Sequence, residues 1–370
     1  MHVITGLNTG GAETALCRLL EALRPPAFEH TVIALGSAGT LSTRIAESAT
    51  VHHLGMHAAA PQLRDLWRLR ILLATKPDVI HAWMYHANLM ATLAEFGTGI
   101  PLLWGIRHSL YDLHREKRAT RLVIRANRVL SAFPQQIIYN SSVSAAQHEA
   151  FGFQQARRLV IPNGFDTELF RVDCEARMRV RSELAIGDEN LAIGLIARWH
   201  PVKDHANFLR AATLLLRSCP RAIFVLVGEG LVTENTQLPS LISTLGLNGR
   251  VRLCGRRMDI AAVDAALDVG SSSSWSESFP NAIGEAMACA VPCVATDVGD
   301  VREVISDTGI VVPPRDPEAL CAGWARLATM EEIERRKLGL RARRRVIENY
   351  SLTAMASRYT DVYLNIIRKH

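Results

Sequence analysis

Two carboxylates, Glu277 and Glu285, stand eight positions apart in Ser276-Glu277-Ser278-Phe279-Pro280-Asn281-Ala282-Ile283-Gly284-Glu285-Ala286-Met287. Phe279-Pro280-Asn281 reads as a loop turning into a helix, because proline is tolerated where a helix begins and Ala282 to Ala288 is good helix-forming sequence. Glu277 then falls on the loop and Glu285 about one turn inside the helix. The N–H groups at such a start attract an anion. A carboxylate on either side would oppose a ligand that is phosphate alone. Ionised carboxylates only accept hydrogen bonds, so they suit hydroxyls. The combination fits a ligand carrying both phosphate and hydroxyls, such as a nucleotide-sugar. Most glutamates are solvated surface charges. These two sit between apolar runs, Leu267-Asp268-Val269 before and Ala286 to Ala295 after, which favours a site at a strand end and a helix start.

Arg198 and Lys203 follow the β-like run Leu191–Ala197, at the carboxyl end of a strand. As a pair there they read as a phosphate clamp, since the arginine fork and the lysine point charge both suit phosphate oxygens. Gly10 and Gly11 follow the first strand and open a helix, which lets backbone approach a ligand, although turns use paired glycines often. His108 lies at the end of the apolar strand Leu102–Ile106; His81 and His86 are similar candidates in less specific settings. No metal-ligand spacing and no Asp-x-Asp pair occurs, so a diphosphate leaving group would be neutralised by Arg198, Lys203 and helix ends, and no metal is expected. Neither the G-x-G-x-x-G fingerprint nor a Walker motif is present, which disfavours a nicotinamide-dependent dehydrogenase.

These residues need strand ends to hold them. The chain alternates short β-like runs with helical stretches, from Val3–Thr5 to Leu159–Ile161, and restarts at Leu191 after the turn formers Pro162-Asn163-Gly164-Phe165-Asp166. Alternation of this kind predicts parallel sheets covered by helices. The fold class is α/β: two doubly wound Rossmann-like domains facing each other across a cleft, with ligands beyond the carboxyl ends of the strands. The predicted division is 1–165, 166–350 and a C-terminal helix, 351–370, packing back towards the first domain.

At 370 residues there is ample material for two cores. No apolar run approaches a membrane span, and no signal peptide is evident. The seven cysteines are odd in number and scattered, and they read as buried thiols in a reducing, cytoplasmic compartment. The net charge of +6 is uneven: residues 1–165 hold 16 Lys and Arg against 10 Asp and Glu, the remainder 26 against 26. Much of the excess is Arg115, Lys117, Arg118, Arg121, Arg125 and Arg128, mostly on one side of a helix. That side is either a solvated face or a patch for anionic membrane or a lipid-linked phosphate, which would place the protein at the inner face of the cytoplasmic membrane. No nucleic-acid partner is indicated.

The assembled motifs resemble a retaining glycosyltransferase of the GT-B fold, in the large family 4 that includes bacterial polysaccharide and lipid-linked glycan transferases. The resemblance runs through Gly10-Gly11-Ala12-Glu13, Trp104 to Ser109, Ile161 to Asp166, Arg198 with Lys203, Gly228-Glu229-Gly230 and, most specifically, Glu277-x7-Glu285. Ser278 stands where the family commonly has glycine. The resemblance implies a nucleotide-diphosphate sugar as co-substrate, no cofactor, and a glycan or lipid-linked acceptor bound by the first domain. It implies that Glu285 binds the ribose, Glu277 a donor-sugar hydroxyl, and backbone at Phe279, Pro280, Asn281 and Ala282 sugar or phosphate oxygens. Arg198 and Lys203 would stabilise the departing diphosphate, Gly11 would cover it, His108 would touch the sugar, and backbone near Arg256 to Met258 would meet the nucleobase. The alternatives are a nucleotide-sugar 2-epimerase of the same architecture, or a non-catalytic nucleotide-sugar-binding module, which has no need of the Arg–Lys clamp.

Overall fold

A computed structural model describes residues 1–24, 26–56, 63–111, 113, 117–234 and 237–369. The chain forms two compact units: Met1–Gly164 with Leu352–His370, and Phe165–Ser351. The first contains β1 (His2–Ile4), β2 (Thr31–Ala34), β3 (Thr50–His53), β4 (Ile80–Trp83), β5 (Leu102–Ile106), β6 (Gln136–Tyr139) and β7 (Arg158–Val160). All pair in parallel, in the order β3-β2-β1-β4-β5-β6-β7. One apolar layer joins this sheet to helices Leu63–Leu73, Met84–Glu95 and Arg118–Leu130 through Leu69, Met90 and Ile124. The other joins it to helix Gly11–Ala22 and to helix Leu352–Ile367, whose Met355, Tyr359 and Tyr363 are core residues.

The second unit contains β8 (Leu191–Ile196), β9 (Ala222–Val227), β10 (Val251–Leu253), β11 (Val269–Ser272), β12 (Cys293–Thr296) and β13 (Ile310–Val312), parallel in the order β10-β9-β8-β11-β12-β13. Its central strands are buried on both faces, hence their continuous apolar runs. Ahead of β11, the Asp268 carboxylate accepts from Arg177 (2.6 Å), Arg181 (3.1 Å) and the Ala192 N–H (2.8 Å). That cluster fixes helix Cys174–Glu183 against the sheet, although its sequence, rich in arginine, has no apolar periodicity that would announce it.

Strand order reverses direction once in each unit, between β1 and β4 and between β8 and β11. Ligands in such sheets bind at this reversal, beyond the carboxyl ends of the strands. The cysteines are all free, but not all are buried as expected: Cys174 is exposed at the first position of its helix, and Cys254 and Cys321 are half-buried.

Candidate functional site

The loop after β8 and the loop after β11 meet at the reversal of the second unit. Lys203 closes the short Pro201–Lys203 turn, and its Nζ pairs with Glu277 Oε1. The same carboxylate oxygen accepts from Ser274 Oγ at 2.7 Å. Backbone stitches the loops together: Ser273 Oγ donates to the Lys203 carbonyl (2.8 Å), the Trp275 N–H to Val202 (3.0 Å) and the Trp275 indole to Pro201 (2.9 Å). A third loop lies close beneath. Gly228 has φ +155°, and a Cβ there would stand 2.2 Å from the Ala197 carbonyl oxygen. Only glycine lets the end of β9 pass so near the Arg198 loop. Arg198 itself is exposed and makes no ion pair among the described residues. The result is a held lysine–carboxylate pair with an exposed arginine on the same loop as the lysine.

Behind Glu277, helix Asn281–Ala288 begins after Pro280, which makes no side-chain cap hydrogen bond, and the helix start carries the positive end of its dipole. Phe279 and Pro280 are buried under that start, and Asn281, Ala282 and Glu285 are half-buried. The neighbouring Asp264 is fully buried, and neither of its oxygens has a hydrogen-bond partner among the described residues. Burial, with the Glu285 charge added, holds the Asp264 carboxyl well above the usual carboxylate range. Both effects favour the neutral form of Asp264, while Glu285 beside it is half-buried. Arg256 and Met258 are exposed after β10, while Arg257 between them is anchored to Glu183 and Asp259.

In the first unit, Gly10 caps helix Gly11–Ala22 after β1, again without a side-chain cap. His108 follows β5. Its carbonyl accepts from Ser144 Oγ (2.6 Å), and its Nδ1 lies 3.3 Å from Tyr85 Oη. Tyr85 Oη is also 2.8 Å from His148 Nε2, whose Nδ1 is 2.7 Å from the Ser144 carbonyl. A carbonyl only accepts, so His148 carries its proton on Nδ1 and takes the Tyr85 hydroxyl proton on Nε2. Tyr85 Oη therefore accepts from His108 Nδ1–H. Of the other histidines, His81 is fully buried against Tyr363 (2.8 Å) and out of reach of a ligand, and His86 is half-buried. Lys117, Arg118, Arg125 and Arg128 are exposed and Arg121 half-buried; Arg115 lies outside the described residues.

Sequence reasoning missed Ser273, Ser274, Asp264, Tyr85 and His148. The serine run Ser271 to Ser274, which ends β11 and continues into its loop, was a usable signal; the others had none. Among the described residues no three His, Cys, Asp or Glu side chains cluster as metal ligands, and no helix is long and apolar enough to cross a membrane.

Two family models match: Glycosyltransferase Family 4 over residues 9–169 and Glycosyl transferases group 1 over residues 190–330. The chain is a glycosyltransferase of the family 4 type. It is 28% identical to a D-inositol 3-phosphate glycosyltransferase of Saccharomonospora viridis, over 79% of this chain and 70% of that one. It is 29% identical to the N-acetyl-alpha-D-glucosaminyl L-malate synthase of Bacillus anthracis, where the match spans 51% of this chain and about half, 49%, of the relative. The Anabaena protein HepE, solved in complex with UDP and glucose, has the same GT-B fold at a TM-score of 0.82 and 22% identity, covering 99% and 100% of the two chains.

Proposed function

We propose that this glycosyltransferase moves a sugar from a nucleotide-diphosphate sugar to a glycan or lipid-linked acceptor, with retention of anomeric configuration and without a metal ion. The observation that carries the reading is the Lys203–Glu277 pair at the β8/β11 reversal, beside the uncapped helix that bears Glu285. Glu285 would accept from the ribose hydroxyls and Glu277 from a sugar hydroxyl. The N–H groups at the helix start and the backbone of Phe279 to Ala282 would meet sugar or phosphate oxygens. Arg198 and Lys203 would take the charge that builds on the diphosphate as the sugar–oxygen bond breaks, and preorganised cations there are worth most in the transition state. The departing phosphate oxygen would remove the acceptor's proton, which needs no separate general base. HepE's complex with UDP and glucose supports a nucleotide-sugar donor. The first unit would take the acceptor.

A donor panel tests this: purified protein with UDP-, GDP-, ADP- and TDP-sugars, read as release of free nucleotide. Because the sequence lacks Asp-x-Asp and supplies two cations instead, turnover is expected to persist in EDTA. Loss of turnover in EDTA, restored by manganese or magnesium, would contradict the metal-free part of the reading.

A further inference from the structure

We propose that the outer face of helices Leu63–Leu73, Met84–Glu95 and Arg118–Leu130 docks on an anionic lipid bilayer, with Trp67 seated in the interfacial layer. These helices lie side by side on one face of the first unit's sheet, and their inward residues form its core. On the first of them Leu63, Trp67 and Ile71 recur at four-residue spacing and are 86, 65 and 49% exposed. Scattered exposed apolar residues are ordinary, but a stripe centred on tryptophan is not. Arginines border it. Arg64 and Arg68 fall along one side of the helix, and Arg70 along the other. The Arg70 guanidinium reaches the Phe96 carbonyl at 2.9 Å, so the stripe continues onto the end of the next helix, where Leu93 and Phe96 are also exposed.

The third helix repeats the composition. Leu122 and Val129 are exposed among Arg118, Arg125 and Arg128, and the helix has no acidic residue. On the other two, Asp65 is buried and Glu95 alone is partly exposed. An apolar ridge set in cations, with almost no opposing charge, is the chemistry of an amphipathic element lying in a lipid headgroup layer. A second copy of the chain is a poorer occupant, because a self-complementary contact would bring these arginines against one another. The arginines alone would give adsorption that salt abolishes; the tryptophan stripe adds a part that salt does not screen. The proposal is independent of which donor the enzyme uses.

The test uses the full chain with vesicles of phosphatidylcholine, with and without phosphatidylglycerol. Binding is expected only where phosphatidylglycerol is present, with a fraction surviving high salt. Trp67→Ser should weaken it about tenfold or more, the worth of returning one large apolar side chain to water. Trp67→Phe should bind nearly as wild type yet lose the fluorescence quenching that brominated lipid produces in the wild type. Equal binding by wild type and Trp67→Glu would overturn the proposal. So would absent vesicle binding, whether sedimentation then shows a dimer broken by Trp67→Glu or a monomer throughout.

Discussion

Lys203→Ala is expected to lower turnover by roughly a hundredfold or more, the scale of removing one preorganised stabilising donor, with a much smaller change in donor affinity. In the structure Lys203 is held by Glu277 and by the loop stitching at Ser273, so its position is set before any ligand arrives. A fixed cation gains most as negative charge grows on the leaving group, which occurs only on the way to the transition state. Replacing it also leaves the Glu277 carboxylate with the Ser274 hydroxyl and no cation from position 203. Arg198→Lys should be rescued only in part, because a point charge lacks the fork. Steady-state kinetics with the preferred donor check both. If Lys203→Ala raised the Michaelis constant and spared turnover, Lys203 would be a binding group only.

Acid should unfold the first unit ahead of the second. His2 and His81 are fully buried and held neutral, with pKa values well below the ordinary 6.5, and burial lowers His148 to about 4. The bonding is consistent with neutrality: Trp83 Nε1 donates to His2 Nδ1 (3.2 Å), His2 Nε2 to His30 Nδ1 (3.2 Å), and His30 Nε2 to the Leu23 carbonyl (2.8 Å). An added proton on His2 or on His30 would break that chain. Below pH 6.5 the unfolded chain binds protons that the folded unit refuses, so stability is full above about 6.5 and falls as pH drops towards the folded values. A shift the size of that at His148 is worth on the order of 3 kcal/mol by pH 4, and the other two add to it. In the second unit His205, lowered to about 4, is the one histidine with a comparable shift. Thermal unfolding from pH 7.5 to 4.5, with segments assigned by proteolysis, should show the first unit's midpoint falling furthest. A midpoint unchanged across that range would contradict the account.

The strands were legible because apolar runs such as Leu191–Ile196 and Ala222–Val227, buried on both faces, cannot easily be read as anything else. Helix Cys174–Glu183 was not, because it is held by Asp173 as its cap and by the arginine–Asp268 cluster, and no apolar stripe marks it. Helix Met84–Glu95 starts at a residue with φ +71°, which propensity would never choose. For the candidate site, types and spacing singled out Glu277, Glu285, Arg198 and Lys203 individually. The pairing of Lys203 with Glu277 was not readable, since it depends on β8 and β11 lying side by side, with Val269 opposite Ile193. Asp264 was equally silent: a buried, unpaired acid looks in sequence like any helix-surface aspartate.

The central claim is that the two glutamates divide the donor, Glu285 holding the nucleoside and Glu277 the sugar. Calorimetric titration of the nucleoside diphosphate identified by the donor panel tests it most directly. The account predicts that Glu285→Ala loses affinity for that nucleotide while Glu277→Ala keeps it and loses turnover instead. Equal loss of nucleotide affinity in both variants would contradict the division.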